Sequence, residues 1–195
     1  EKVYQALKMG ILSMNIKPRE ALFIGDLADF YQISRTPVRE ALISLEKEGW
    51  VKIDGRRGAR VIIPSPKSVM EMVEVYAVLE AHTAKRAAEV LQPEDIQQLQ
   101  EILVRAEKEI INKDETAYHI IGDKFHRHIH YLVGNQYIRG MVEELDEQVV
   151  RFRQLLLNKG YAPMEISAKQ HREILNAIEN RHGQRAFDLM YKHTL

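Results

Sequence analysis

Residues 34–50 have the sequence SRTPVREALISLEKEGW, and this stretch decides the fold of the first part of the chain. Ser34 is a favourable N-cap residue, and Pro37 falls in the first helical turn, where a missing N–H costs no intrahelical hydrogen bond. Gly49 is a typical helix terminator. Three apolar residues recur on one helical face: Val38, Leu42 and Leu45. The stretch therefore predicts a helix over residues 35–48 with one buried side.

The flanking residues predict two more helices and a hairpin. Helical patterns cover residues 2–14 and 24–30. After the central helix, β-branched runs at residues 50–53 and 59–63 flank a glycine-rich turn, which predicts a β-hairpin. No other part of the chain predicts a strand. Three helices followed by a hairpin are typical of a winged helix-turn-helix, which we assign to residues 1–64.

The exposed side of the central helix carries groups suited to DNA. Arg35 and Arg39 are four residues apart and project from one face near the helix N-terminus. A guanidinium there can make a bidentate contact to guanine in the major groove. The hydroxyls of Ser34 and Thr36 suit phosphate contacts. We therefore predict that this helix reads DNA, although a solvated charged face is the alternative for either arginine alone.

The predicted wing and the charge distribution support the same interpretation. Arg56 and Arg57 lie at the hairpin tip, in reach of a DNA backbone or minor groove. Residues 1–65 carry 11 Lys+Arg against 8 Asp+Glu, and the remaining 130 residues carry 17 against 20. A mildly basic small domain joined to a mildly acidic larger one fits a chain of which only the first part meets phosphate.

The remainder of the chain, residues 65–195, predicts a second domain built from helices alone. Pro64-Ser65-Pro66 forms the boundary, and six helical segments follow, at residues 66–90, 93–112, 114–133, 135–158, 163–180 and from 183 onward. The predicted class is thus mainly α, with an antiparallel bundle of about six helices after the winged domain. The chain has no cysteine, which excludes disulfides and thiolate metal sites. It also lacks an apolar run long enough for a membrane span, and a cytoplasmic protein without membrane partners is expected.

Histidines are the most informative polar residues of the helical part. His126, His171 and His193 each lie on the apolar stripe of a different predicted helix. Three imidazoles converging from facing helices form an open metal site that Zn²⁺ favours. Periodicity alone leaves a second interpretation, in which the three are hydrogen-bonded core histidines.

The winged part resembles the GntR family of bacterial transcription regulators. The resemblance rests on Ser34-Arg35-Thr36-Pro37-Val38-Arg39-Glu40-Ala41-Leu42, on Leu45-Glu46-x-Glu48-Gly49 and on Arg57-Gly58-Ala59-Arg60-Val61. It implies DNA contacts from Arg35, Thr36 and Arg39 and from the wing glycine Gly58. Some members add an arginine in the preceding helix, where this chain has Gly25, so their operator preference is not transferred to this protein.

The helical part resembles the FCD effector domain of the FadR subfamily. Matching segments are Leu79-Glu80, Ala87-Ala88, Phe125-His126-Arg127, Gly134-Asn135, residues 171–178 and His193. The resemblance implies that the three histidines hold a divalent cation, Zn or Ni. Metal-binding members have an Asp or Asn four residues before the first histidine, where this chain has Gly122. Asp123 is the candidate replacement for that fourth ligand.

The resemblance also implies a small effector, bound in the helical domain and expected to bear a carboxylate. Many members have an arginine where this chain has Tyr76. We therefore name Tyr76, Arg151 and Arg153 as candidate effector-binding residues, with the choice between the two arginines open.

The sequence thus predicts a ligand-responsive transcription regulator rather than an enzyme. It is expected to bind a palindromic operator as a homodimer and to act as a repressor. The alternative is a metal-dependent hydrolytic enzyme that uses the three histidines His126, His171 and His193 to activate water. A helical bundle with a protein-interaction role is a third possibility.

Overall fold

The computed structural model describes residues 2–55, 57–156 and 163–195. The chain divides into two compact units, Glu1–Pro66 and Lys67–Leu195. Within the described residues the fold is mainly helical, and the predicted class, a winged helix-turn-helix followed by a helical domain, is confirmed.

The first unit contains three helices and three strands. In chain order these are α1 (Lys2–Leu12), β1 (Ala21–Phe23), α2 (Ile24–Tyr31), α3 (Arg35–Lys47), β2 (Val51–Asp54) and β3 (Gly58–Val61). The three predicted helices are present, with ends that differ from the prediction by one or two residues.

The prediction that the hairpin supplies the only strands was wrong, because a third strand lies before α2. The strands form one antiparallel sheet in the order β1-β3-β2, so that β3 is central. Strand β1 has only three residues, too few to produce an alternating pattern in the sequence. Its pairing to β3, with Leu22 opposite Ala59, defines it instead.

The core of the first unit forms where the apolar faces of α1 and α3 meet the sheet. Leu7, Leu45 and Trp50 are all at most 1% exposed. Burying a large apolar side chain contributes roughly 1.5–3 kcal/mol, so these contacts fix α3 against the unit. The apolar face predicted from the central stretch is therefore the buried face, and the opposite face of α3 is left to solvent.

The second unit contains six helices among its described residues. They are α4 (Pro66–Val90), α5 (Pro93–Asn112), α6 (Glu115–Val133), α7 (Gln136–Leu156), α8 (Met164–Glu179) and α9 (Gly183–Thr194). None of the helices in the described part of the chain is both long and apolar enough to cross a membrane.

The core of the second unit places the histidine-bearing helices side by side. Phe125 and Ile129 of α6 pack in one cluster with Ile174 and Ile178 of α8. The same cluster contains Met190 of α9. Since His126, His171 and His193 each lie within one helical turn of these core positions, the packing brings the three imidazoles toward one another.

Candidate functional site

The predicted DNA-contacting residues of α3 are exposed. Ser34, Arg35, Thr36 and Arg39 all lie on the solvent side of the helix. Ser34 is the N-cap, with extended backbone at φ −69° and ψ 162°, and its side chain makes no capping hydrogen bond. Its hydroxyl is therefore not committed to the helix end, where N–H groups and the helix dipole favour an anion.

The wing lies beside this face of α3. Arg39 lines a cavity together with Ile43 of its own helix and with Ile53, Gly55 and Gly58 of the hairpin. Arg57 is exposed, and its carbonyl accepts a hydrogen bond of 2.9 Å from the Ile24 N–H. Arg56, the other predicted wing contact, lies outside the described residues.

Gly58 has a structural reason to be glycine. A Cβ atom at this position would lie 2.0 Å from the carbonyl oxygen of Leu22, which belongs to the neighbouring strand β1. Only a residue without a side chain allows this close approach of the two backbones. The glycine that the family resemblance places at the DNA is thus also required by the sheet.

Gly25, the second residue of α2, has open space around it. A Cβ atom there would meet no atom within 4 Å. A longer side chain is therefore sterically allowed at this position, and its absence is a property of this sequence rather than a demand of the fold.

In the second unit the three predicted histidines come together. Nε2 of His171 lies 3.1 Å from Nε2 of His126 and 3.0 Å from Nε2 of His193. The three ligand atoms all lie within 4.8 Å of one another. Two nitrogens bound to one ion at 2.0–2.1 Å are about 3 Å apart, so the two distances from His171 match a shared cation. We call these three residues the histidine cluster.

Two members of the cluster are oriented by hydrogen bonds at Nδ1, the ring nitrogen that faces away from the cluster. Nδ1 of His126 lies 2.9 Å from Oε2 of Glu80, and Nδ1 of His193 lies 2.8 Å from Oε1 of Gln170. The contacting atoms of both partners are acceptors, so each Nδ1 carries a proton. When these rings are neutral, their Nε2 lone pairs are directed into the cluster.

Glu80 is a buried carboxylate that sequence reasoning did not identify as a site residue. It is 1% exposed, and its other oxygen, Oε1, lies 2.6 Å from Nε2 of His130. Burial alone would raise the pKa of Glu80, but the charge of His126 and the hydrogen bonds from His126 and His130 hold it well below its usual range.

His130 is a further buried histidine that the sequence did not single out. It shares the carboxylate of Glu80 with His126. The two histidines are one helical turn apart, a spacing that puts both on one side of α6. That spacing was the signal available in the sequence.

A cavity of about 260 Å³ opens beside the histidine cluster. Gly122 lines it, and a Cβ atom there would meet only Cε1 of His171, at 3.5 Å. Asp123 also lines the cavity, but within the described residues its carboxylate is not part of the group of close ligand atoms. The structure therefore brings together the three histidines and leaves Asp123 at the margin.

The candidate effector residues have different positions. Tyr76 lines the cavity, but its hydroxyl donates a hydrogen bond of 3.2 Å to Oδ1 of Asp146 on α7. The side chains of Arg151 and Arg153 lie outside the described residues. Tyr118, which the sequence analysis passed over, also lines the cavity and is buried, and burial raises the pKa of its hydroxyl.

Comparison with known protein families gives two matches that together cover nearly the whole chain. Residues 1–61 match the family described as bacterial regulatory proteins, gntR family. Residues 71–195 match the FCD domain.

Curated relatives are similar over most of their length. The HTH-type transcriptional repressor RspR of Escherichia coli (strain K12) is 26% identical over 193 residues, which are 99% of this chain and 84% of the relative. The uncharacterized HTH-type transcriptional regulator YdhC of Bacillus subtilis (strain 168) is 27% identical over 94% of this chain and 82% of its own length. The HTH-type transcriptional repressor GlaR of E. coli (strain K12) is 28% identical over 98% of this chain and 90% of its own length.

Solved structures share the fold. E. coli McbR/YncC superimposes with a TM-score of 0.77 at 21% identity, covering 99% of this chain and 92% of that one. A transcriptional regulator from Rhodococcus sp. RHA1 gives a TM-score of 0.73 at 19% identity and the same coverage. A winged first unit, a helical second unit and matches to both families lead to one conclusion: this chain is a transcriptional regulator of the GntR family with a C-terminal FCD domain.

Proposed function

We propose that the protein is a ligand-responsive repressor of the FadR subfamily that binds a palindromic operator as a homodimer. The observation that carries this proposal is the convergence of three Nε2 atoms on a cavity in a chain whose first unit is a winged helix. A DNA-binding unit joined to a unit with a ligand cavity is the arrangement that a small-molecule switch requires. Two of the curated relatives are named as repressors, which favours repression here.

A divalent cation fits the histidine cluster. His126 and His193 both have Nδ1 held by an acceptor, so their Nε2 lone pairs are oriented before any ion arrives. Three imidazole nitrogens without a thiolate suit Zn²⁺ or Ni²⁺. His126, His171 and His193 would hold the ion, which would supply a positive charge and an exchangeable position for an oxygen ligand.

A small carboxylate is the effector that this arrangement favours. Gly122 and Tyr118, whose hydroxyl is buried, both line the cavity. An anion would reach the cation from this side, where no side chain of residue 122 stands in the way. The effector regulates only if it binds one arrangement of the dimer more tightly than another.

We favour regulation over hydrolysis for the same cluster. A hydrolytic site needs a general base within reach of a metal-bound water. Among the described residues, Glu80 is engaged by His126 and His130, and Asp123 stands outside the group of ligand atoms. We also propose a cytoplasmic location, because a transcription regulator acts on the chromosome.

Selection of bound sequences from a random DNA library tests the proposal. The selected sequence should be palindromic, with two half-sites about one helical turn apart or a multiple of it. The complex should contain two chains, and a metal-loaded protein screened against small carboxylates should lose affinity for that DNA with at least one of them. A single, non-repeated recognition sequence bound by one chain would contradict the proposal.

A further inference from the structure

The two histidines held from behind differ in the charge of the group that holds them. A carboxylate, Glu80 on α4, accepts from His126, whereas a neutral amide, Gln170 on α8, accepts from His193. A carboxylate is the stronger acceptor and has no donor of its own, so it admits one tautomer of the imidazole in contact with it. An amide can donate as well as accept after a flip, so it constrains its partner less.

Burial makes the position of Glu80 demanding. Its side chain is 1% exposed, and a carboxylate removed from water is costly unless hydrogen bonds replace the lost solvent. Both oxygens have such partners, Oε2 in His126 and Oε1 in His130. An apolar residue would avoid this cost, so a carboxylate at this position indicates a role other than stabilising the fold.

His130 completes the arrangement from the far side. It is 4% exposed and lies one helical turn after His126, so both imidazoles reach α4 from the same helix. Its contact of 2.6 Å with Oε1 holds the plane of the carboxylate and thereby aims Oε2 at Nδ1 of His126. Glu80 is thus clamped between two histidines, only one of which belongs to the histidine cluster.

We propose that Glu80, clamped by His130, is a positioning residue that fixes His126 in the tautomer whose Nε2 lone pair faces the histidine cluster. It acts through His126 and does not itself contact an ion. The inference rests on the proposed metal site. It implies that the tautomer of His126 is fixed more strictly by Glu80 than the tautomer of His193 is by Gln170.

Two substitutions at Glu80 separate orientation from simple packing. Glu80→Met keeps the length of the side chain but removes both acceptors. Glu80→Gln keeps one carbonyl oxygen that can still accept from Nδ1 of His126. The matched control is His128→Gln, on the same helix, because His128 contacts Gln98 on α5 rather than Glu80.

Two readouts on the full chain decide the question. The first is the affinity for Zn²⁺, measured by competition with a chromophoric chelator. The second is the tautomer of His126 in metal-free protein, read from the two-bond ¹⁵N–¹H couplings of ¹⁵N-histidine. Loss of an outer-shell partner of a ligating histidine lowers metal affinity roughly 10–100-fold.

We expect Glu80→Met to lose roughly 10–100-fold in Zn²⁺ affinity and to mix the tautomers of His126. Glu80→Gln should show a smaller loss and a minor second tautomer, because its amide can flip and donate. The His128→Gln control should match the wild type in both readouts.

A folded Glu80→Met protein with unchanged affinity and one unchanged tautomer overturns the inference. If the wild type binds no Zn²⁺, the metal proposal is wrong, and the tautomer of His126 alone then decides whether Glu80 positions it. If Glu80→Met does not fold, a Glu80→Gln protein with wild-type affinity and one unchanged tautomer is the overturning result.

Discussion

Nζ of Lys8 lies 3.0 Å from Oε2 of Glu48, so a charged pair joins the first helix of the winged unit to the end of α3. The hydroxyl of Tyr4 and Nε1 of Trp50 donate to the same carboxylate. A carboxylate that accepts several hydrogen bonds is stabilised in its ionised form. Burial works against this and raises the pKa of Glu48, but the donors outweigh it and hold the pKa below its usual value.

This network predicts an acid-sensitive winged unit. Because the folded pKa of Glu48 is below its value in the unfolded chain, the stabilisation is complete above the unfolded pKa and is lost as the pH falls through the folded one. Trp50 is the only tryptophan of the chain, so its fluorescence follows this unit. We expect the thermal unfolding midpoint of the winged unit to decrease once the pH is lowered below about 4.5. At pH 7, Glu48→Gln should lower the free energy of unfolding by about 1–3 kcal/mol. Equal stabilities of Glu48→Gln and wild type at pH 7 would refute the prediction.

Arg39→Ala should weaken operator binding at least about tenfold, since a bidentate arginine contact to guanine is worth roughly 1–3 kcal/mol. Fluorescence anisotropy with the selected operator measures the change. Lys47→Ala is the matched control, because Lys47 is an exposed cation in the last turn of the same helix. If both variants lose affinity equally, the effect is one of general charge and Arg39 does not read bases.

Gly58→Ala should destabilise the winged unit. The added Cβ would lie 2.0 Å from the Leu22 carbonyl oxygen, so strands β1 and β3 must separate. We expect a lower midpoint in the Trp50 transition and weaker DNA binding. Gly25→Ala is the control, with open space around its Cβ. A Gly58→Ala protein as stable as Gly25→Ala would mean that the sheet adjusts without cost.

Gly122→Asp should raise the affinity for Zn²⁺ at least about tenfold by adding a carboxylate ligand to three imidazoles. The position has room, because its Cβ would meet only Cε1 of His171, at 3.5 Å. Gly122→Ala tests the effect of the Cβ alone and should leave the affinity unchanged. Equal affinities for the Asp and Ala variants would show that residue 122 does not reach the ion.

Local patterns predicted most of this fold because its helices are long and have marked caps. The helix over Pro93–Asn112 follows from its proline and its periodicity, and the apolar face of α3 is the face that is buried. Strand β1 was missed because pairing with β3, a long-range contact, creates it.

Local patterns likewise predicted some residues of the site, whereas long-range packing determines others. His126, His171 and His193 were found because each lies on an apolar stripe of its own helix. Glu80 was not found, since it is one of four acidic residues in a 25-residue helix and nothing local marks it as the buried one. Only the packing of α4 against α6 places it between two histidines. Tyr76, predicted as an effector contact, lines the cavity, and its hydroxyl also donates to Asp146.

The metal content of protein prepared without chelator and without a nickel affinity step tests the central claim most directly. We expect about one equivalent of divalent metal per chain in the wild type after incubation with Zn²⁺ and dialysis, and a clear loss in His171→Ala. His171 is the decisive position, because its Nε2 contacts both other members of the cluster. Less than about 0.2 equivalents in the wild type would contradict the account and leave the three histidines as hydrogen-bonded core residues.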